Sequence, residues 1–362
     1  MNAIALMLRR NDDGDRTGKG IMTLAALMFL LAIAALVSLH SGATEVGLAD
    51  LLRYLFGDAS ALPEQDRMIL ESVRLPRTVL GLLVGAGLGV SGAMMQGLFR
   101  NPLADPGIVG VTSGAAFAAV TAIVLGGTVL APLQALLGLH FLPIMAFLGG
   151  LANTLVLYAI ATRNGQTSTT ALILSGIAIG AMSAAATGLL IFLADDRQLR
   201  DITFWSLGSL SGASYAKVTA TLPFILAILA ATPFVARGLD ALVLGDAAAY
   251  HMGISVQRLK KLSILAVAAA CGATVAVAGS ISFVGIVVPH LLRLAIGPSH
   301  RFLLPASALG GAALLLFADS VARVVVAPAE LPIGIITAIL GAPVFLMLLL
   351  GRTGRAQMEN LQ

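Results

Sequence analysis

Residues 244–261 read LGDAAAYHMGISVQRLKK, a polar and partly charged segment set between two long apolar stretches. A loop joining two membrane spans needs no such design. Gly245-Asp246 stand before Ala247-Ala248-Ala249 and Gly253 follows, a start and a stop that predict a short helix. Its mixture of charged and apolar side chains makes it amphipathic. An amphipathic helix held at a membrane surface offers a handle to a soluble partner.

The flanks explain why a handle is needed. Hydrophobic residues make up 58% of the chain and charged residues 11%, and mean hydropathy is +0.96. A soluble domain carries about 25% charged residues. Apolar stretches of about 20 residues, enough to cross a bilayer as a helix, recur between residues 21 and 350. The alternating pattern of an outer-membrane barrel is missing, so the fold class is all-α, a polytopic bundle. The 39 glycines suit helices packed through small residues. The single cysteine, Cys271, has no partner for an internal disulfide.

Arg9, Arg10, Arg16 and Lys19 precede an apolar run over 21–39. A signal peptide is the rival reading, but the run exceeds the usual h-region of about 7–15 residues and no small-x-small site follows. It is read as a first span. Nine more follow at 78–98, 107–127, 142–162, 170–193, 218–235, 262–280, 283–296, 303–325 and 333–350. The stretch 262–292 has no Asp, Glu, Lys or Arg; it is long for one crossing and short for two, and Gly279-Ser280 offers the break.

Ten spans put both termini on one side. With the N-terminus inside, inner segments hold 14 of the 22 Lys and Arg residues, while the acidic residues divide 7 inside and 11 outside. The positive-inside rule therefore places both ends in the cytoplasm. The predicted organisation is a cytoplasmic tail over 1–20, one ten-span domain over 21–350 whose segment 236–261 is cytoplasmic, and a second tail over 351–362. Net charge of +4 needs no nucleic acid to explain it.

Residues 85–115, GAGLGVSGAMMQGLFRNPLADPGIVGVTSGA, place two glycine-rich helices around an Arg100-Asn101-Pro102 turn. Tight packing through small residues is the plain reading. Ser91, Met94, Met95 and Gln96 are also candidates to line a pore, since methionine adapts to a large apolar cargo, against core packing as the default role. Asp319 and Arg323 are four residues apart, with Glu330 beyond and Arg74-Leu75-Pro76-Arg77 near the same side. They read either as a structural ion pair or as outward arginines that receive carboxylates of an external protein. Trp205 and Tyr215, in an outer excursion over 195–215, match an interface belt.

Histidines 40, 140, 251, 290 and 300 show no metal-binding spacing, no GxxxxGK[ST] occurs, and no acid/base or nucleophile constellation is present. The spans carry almost no mid-membrane charge of the kind that ion-coupled carriers use.

Together these motifs resemble the permease subunits of binding-protein-dependent ABC importers for iron-siderophores, haem and cobalamin. The resemblance runs over about residues 70–350, through Arg74-Leu-Pro-Arg77, Ser91-Gly92 to Gln96, Arg100-Asn-Pro-Leu-Ala104, Trp205 to Leu210, Leu244-Gly-Asp246, Gly279 to His290 with Arg293, Asp319 to Arg323, and Glu330-Leu-Pro-Ile-Gly334 to Ala342-Pro343. Tyr215 and Ala247 depart from the commoner Trp and Glu. The resemblance implies a bacterial inner-membrane homodimer of ten-span subunits, two ATP-binding cassette subunits below, and a periplasmic binding protein above. ATP and Mg would be used by the partner ATPase; this chain would bind no cofactor and be no enzyme itself.

The resemblance also implies residue roles. Leu244, Gly245, Asp246, Ala249, His251, Met252 and Gly253 would couple to the ATPase. Asn101, Ser168 and Thr169 would form a cytoplasmic gate, and Arg74 and Arg323 would dock the binding protein. Ser175, Ile179 and Met182 of the fifth span, with Met94, Met95 and Gln96, would line the pathway. The stretches NPLADPGIVGVTSGAA and DDRQLRDITFWSLGSL look closest to haem-type members, so haem is the expected cargo, with ferric siderophore and cobalamin as alternatives. The alternative of another class is a stand-alone ion-coupled carrier.

Overall fold

Long apolar runs that coil into helices satisfy their backbone groups internally, as a bilayer requires, and the computed structural model of the chain is built of them. It describes residues 17–42, 47–58, 62–327 and 329–350. The tail over 351–362 and most of the tail over 1–20 lie outside the described residues.

The helices are α1 (Thr17–His40), α2 (Leu48–Leu55), α3 (Glu64–Ile69), α4 (Leu75–Phe99), α5 (Val111–Leu125), α6 (Ala131–Leu137), α7 (Phe141–Ala161), α8 (Thr169–Leu193), α9 (Asp196–Leu207), α10 (Tyr215–Leu242), α11 (Asp246–His251), α12 (Val256–Ala278), α13 (Val284–Ile296), α14 (His300–Val324) and α15 (Ile333–Leu350). A π-turn over Leu70–Arg74 joins α3 to α4. Among the described residues, 7 helices or helix pairs are long and apolar enough to cross a membrane: α1, α3–α4, α6–α7, α8, α10, α12 and α14. Shorter apolar helices occupy the positions of α5, α13 and α15. Each expected span overlaps one of these helices.

The expected break after 278 is present. α12 ends at Ala278, Gly279 takes a φ of 71°, and α13 starts after Phe283, whose φ is 70°. A side chain on Gly279 would lie 2.2 Å from the carbonyl oxygen of Trp205, so the turn needs glycine for space as well as for φ. Helix ends differ from the hydropathy reading. α10 continues to Leu242 rather than 235, and α12 starts at Val256 rather than 262. The extra turns carry Arg237, Asp240, Gln257 and Lys260, polar residues that hydropathy assigns to a loop. The segment outside these two helices is therefore 243–255, shorter than the expected 236–261.

One two-stranded hairpin qualifies the all-α expectation. Thr162–Arg163 (β1) pairs antiparallel with Gln166–Thr167 (β2) across Asn164 and Gly165, which have φ of 52° and 74°. Asn-Gly is the preferred pair for such a turn.

α4 runs through the middle of the bundle, packed against α10, α12, α13 and α14. A Cβ on Gly92 would sit 1.8 Å from Gly285 O of α13, and one on Gly89 would sit 2.1 Å from Ser307 O of α14. The glycine-rich reading of this stretch is thus realised as backbone contact between helices. α8 is the opposite case: only Leu172 is buried along its 25 residues.

Candidate functional site

Two polar clusters cap opposite ends of the bundle. At one end, α10 stops and Gly245, with a φ of 101°, turns the chain into α11. Gly253, with a φ of 82°, turns it back toward α12. Ala249 packs into the core and anchors α11. Leu244, Tyr250 and Met252 project outward, 68%, 71% and 61% exposed. Apolar side chains grouped beyond the end of a span and framed by polar residues mark an interaction surface.

Beneath α11 lies Lys260, whose side chain is 4% exposed while that of Asp246 is 45% exposed. Its Nζ donates to Asp246 Oδ2 at 2.6 Å and to the carbonyl of Thr167 at 3.2 Å. The Thr167 N–H in turn donates to Gln257 Oε1 at 2.8 Å. Arg100 Nη2 stands 3.9 Å from Asp246 Oδ1. Arg100 itself ends α4 in a left-handed conformation, φ 53°. Four segments therefore meet on one ammonium and one carboxylate: the end of α4, the β1–β2 hairpin, α11 and the first turn of α12. A buried ammonium held by a carboxylate and a carbonyl is a demanding contact, costly to break from either side.

The turns around this cluster are also fixed. Asn101 Oδ1 accepts from Leu103 N at 2.9 Å, and Ser168 caps α8 by accepting from Ala171 N at 3.2 Å. Asp105 Oδ1 accepts from Gly107 N at 2.7 Å. Burial pushes the Asp105 carboxyl above its ordinary range, against that bond, which lowers it. Asp240 at the end of α10 takes both the backbone N–H and Nδ1 of His300, at 2.8 and 2.7 Å, and so pins the start of α14.

At the other end Arg77 binds two carboxylates. Its Nε and Nη2 reach Asp319 at 3.1 and 2.8 Å, and Nη1 reaches Glu330 at 2.8 Å. Arg323 Nε is 3.2 Å from Asp319 Oδ2, the expected i,i+4 pair. Arg323 also donates to the carbonyls of Ser41 and Ser38, at 2.8 and 3.1 Å. Arg74 Nη1 donates to those of Leu39 and His40, at 2.8 and 2.9 Å. Two arginines thus satisfy the carbonyls that α1 leaves open at its C-terminus, where the helix dipole favours cations.

A model of the FecCD transport family matches residues 30–351. The chain belongs to the FecCD transport family. It is 43% identical over 329 residues to the hemin transport system permease HmuU of Yersinia pestis, covering 91% of this chain and 95% of that one. It is 42% identical over 342 residues to the cobalamin import system permease BtuC of Halobacterium salinarum, covering 92% and 89%. A solved inward-facing structure of a metal-chelate type ABC transporter superposes with a TM-score of 0.79 at 32% identity, covering 90% of this chain and 98% of the other. As a FecCD protein the chain is a multi-pass permease of an ABC importer of the haem, siderophore and cobalamin family.

Within this FecCD permease the residues singled out in the sequence are distributed unevenly. Leu244, Gly245, Asp246, His251, Met252 and Gly253 lie together around α11, and Asn101, Ser168 and Thr169 lie on the turns that Arg100 and Thr167 tie to it. Ala249 is the buried residue of α11 and packs against the bundle. Arg74 and Arg323 are buried with their guanidiniums engaged at the end of α1. Met94, Met95 and Gln96, expected to line the pathway, lie inside the single subunit. All three lack exposed surface, since α4 is enclosed by neighbours, and Gln96 Nε2 donates to Ile286 O at 3.1 Å. Ser175 and Ile179 are partly buried on α8, and Met182 is exposed.

Three residues escaped the sequence reading. Tyr250 is the most exposed aromatic of α11, and its place beside His251 in the polar segment was a usable signal. Lys260 looked like one of several cytoplasmic basic residues. Arg77 stood in a quoted motif, yet nothing in the sequence marks it as the residue that joins Asp319 to Glu330. Among the described residues no group of three or more His, Cys, Asp or Glu side chains is placed to hold a metal ion.

Proposed function

We propose that this chain is the membrane subunit of an ATP-driven haem importer, a homodimer of ten-span subunits carrying haem from periplasm to cytoplasm across a bacterial inner membrane. The observation that carries the reading is the α11 platform: Leu244, Tyr250 and Met252 face outward directly above the Asp246–Lys260–Thr167 contact. Two ATP-binding cassette subunits would dock there, and ATP and Mg would belong to them. Movement of α11 would reach the Asn101 turn through Arg100 and the Ser168-Thr169 turn through Lys260, so the platform and the gate shift together. The apolar, little-buried α8, with Ser175, Ile179 and Met182, is available to face a second subunit across the pathway.

Ten crossings with cytoplasmic ends are supported by the Lys/Arg distribution and by the apolar helices over each stretch. A periplasmic binding protein would dock at the opposite end. Its carboxylates would engage Arg74 and Arg323 by displacing the α1 carbonyls now held there, so docking would loosen the end of α1. Haem is favoured over ferric siderophore and cobalamin by the two haem-like stretches and by the likeness to the Yersinia permease. The test is uptake into vesicles holding the chain with its ATPase and binding protein, offered haem, cobalamin and a ferric hydroxamate in turn. Uptake of haem alone is expected; preferential uptake of either competitor would reassign the cargo.

A further inference from the structure

At the end of the bundle opposite α11, helices α7 and α10 both pack on α12 and leave a slot between them. Its mouth, of about 410 Å³, is lined by Trp205, Ser209, Ser211 and Lys217 together with the last turn of α12. A second cavity of about 280 Å³ continues it toward the middle of the bundle and shares Pro143, Ala276 and Val277 with the mouth. This deeper part is apolar, lined by Ile144, Phe147, Phe224 and Ala273 among others. Phe147 and Phe224 meet across it with ring centroids 4.9 Å apart, which closes its floor.

The mouth is chemically unfinished. Lys217 is partly buried in the first turn of α10, and no described carboxylate neutralises it. The indole Nε1 of Trp205 is buried and has no hydrogen-bond partner among the described residues. A cation without a carboxylate partner sits beside two serines and the indole of Trp205, above a slot lined by hydrocarbon. Trp205 and Tyr215 mark the headgroup depth of a bilayer, and basic pockets between spans bind anionic headgroups.

We propose that this slot binds an anionic phospholipid of the leaflet facing that end. The phosphate is held by Lys217 Nζ beside Ser209 and Ser211, and an acyl chain lies between α7 and α10 down to the Phe147–Phe224 pair. The site lies outside both polar clusters and is independent of the cargo.

The test is native mass spectrometry of the full chain released from nanodiscs of phosphatidylcholine with or without phosphatidylglycerol, with thermal stability measured on titrating the same lipids. Wild type should retain phosphatidylglycerol and be stabilised by it. Lys217→Gln should weaken that effect about tenfold, the loss of one charge-assisted hydrogen bond, and Lys217→Arg should restore most of it. Ala220→Trp, at an exposed position lining the deeper cavity, should weaken it without touching the charge. Equal retention of phosphatidylcholine would overturn the proposal. So would stabilisation by inorganic phosphate alone, which would make the mouth a small-anion site, or retention that neither Lys217→Gln nor Ala220→Trp changes.

Discussion

Asp246→Ala is expected to destabilise the chain more than Lys260→Met, although both remove the same contact. Removing Asp246 leaves an ammonium whose side chain is 4% exposed with only the Thr167 carbonyl at 3.2 Å. Breaking a buried pair from one side costs about 3–5 kcal/mol. Because Asp246 is half exposed, the low end applies, about 3 kcal/mol. Removing Lys260 instead leaves a carboxylate that water can reach and that Arg100 approaches to 3.9 Å. Methionine keeps the buried stem packed, so the loss reduces to about 1 kcal/mol of net hydrogen bonding. The double variant Asp246→Ala/Lys260→Met should then be milder than Asp246→Ala alone, a coupling of about 2 kcal/mol. Unfolding midpoints of the four proteins in nanodiscs would measure the order. A double variant less stable than Asp246→Ala would refute the reasoning, since no stranded ammonium would then explain the single variant. In vesicles with the ATPase, Lys260→Met should keep ATPase stimulation but lower transport per ATP, because the tie to Thr167 is cut while the platform stays. An unchanged ratio would remove Lys260 from the coupling path.

The platform, the helix packing and the Asp105 turn make separate predictions. Tyr250→Ala should leave stability within about 0.5 kcal/mol, as an exposed substitution does, while weakening ATPase association about 30-fold, the loss of one aromatic anchor of about 2 kcal/mol; unaltered co-purification would place the partner elsewhere. Gly92→Ala should cost about 3 kcal/mol or more through overpacking against Gly285 O, whereas Gly180→Ala, with nothing within 4 Å of the new methyl, should be harmless; equal effects in a thermal assay would contradict the α4–α13 contact. Asp105 has its folded-state pKa raised, so its contribution is fully present at low pH and is lost as pH rises from the ordinary aspartate range through the raised value. Asp105→Asn keeps an acceptor for Gly107 N and should therefore be at least as stable as wild type at neutral pH, the advantage vanishing below about pH 4; lower stability at neutral pH would mean that an ionised carboxylate is needed there.

The apolar segments were legible because bilayer length and hydropathy act on single stretches, and the break at Gly279 because glycine marks where a long run cannot continue. The i,i+4 pairing of Asp319 with Arg323 follows from helix geometry alone. Residues 94–96 were harder. α4 is apolar on every face, so its sequence has no direction that separates a core-facing methionine from a pathway-facing one. The ends of α10 and α12 were misjudged because a helix continues past its apolar stretch when its polar side chains find partners, as Asp240 and Lys260 do with His300, Asp246 and Thr167. The Asn164-Gly165 turn was readable in principle, yet its strands are too short to show an alternating pattern. Lys260 was not readable at all, since its partners come from a different helix and a hairpin far back in the chain.

The most direct test of the account is haem uptake into vesicles containing the chain, its ATPase and its binding protein, measured with ATP present and all ion gradients collapsed. Uptake that persists under those conditions, stops with vanadate and falls with Tyr250→Ala is the predicted result. Uptake by the chain alone, driven by an imposed ion gradient without ATP, would contradict it.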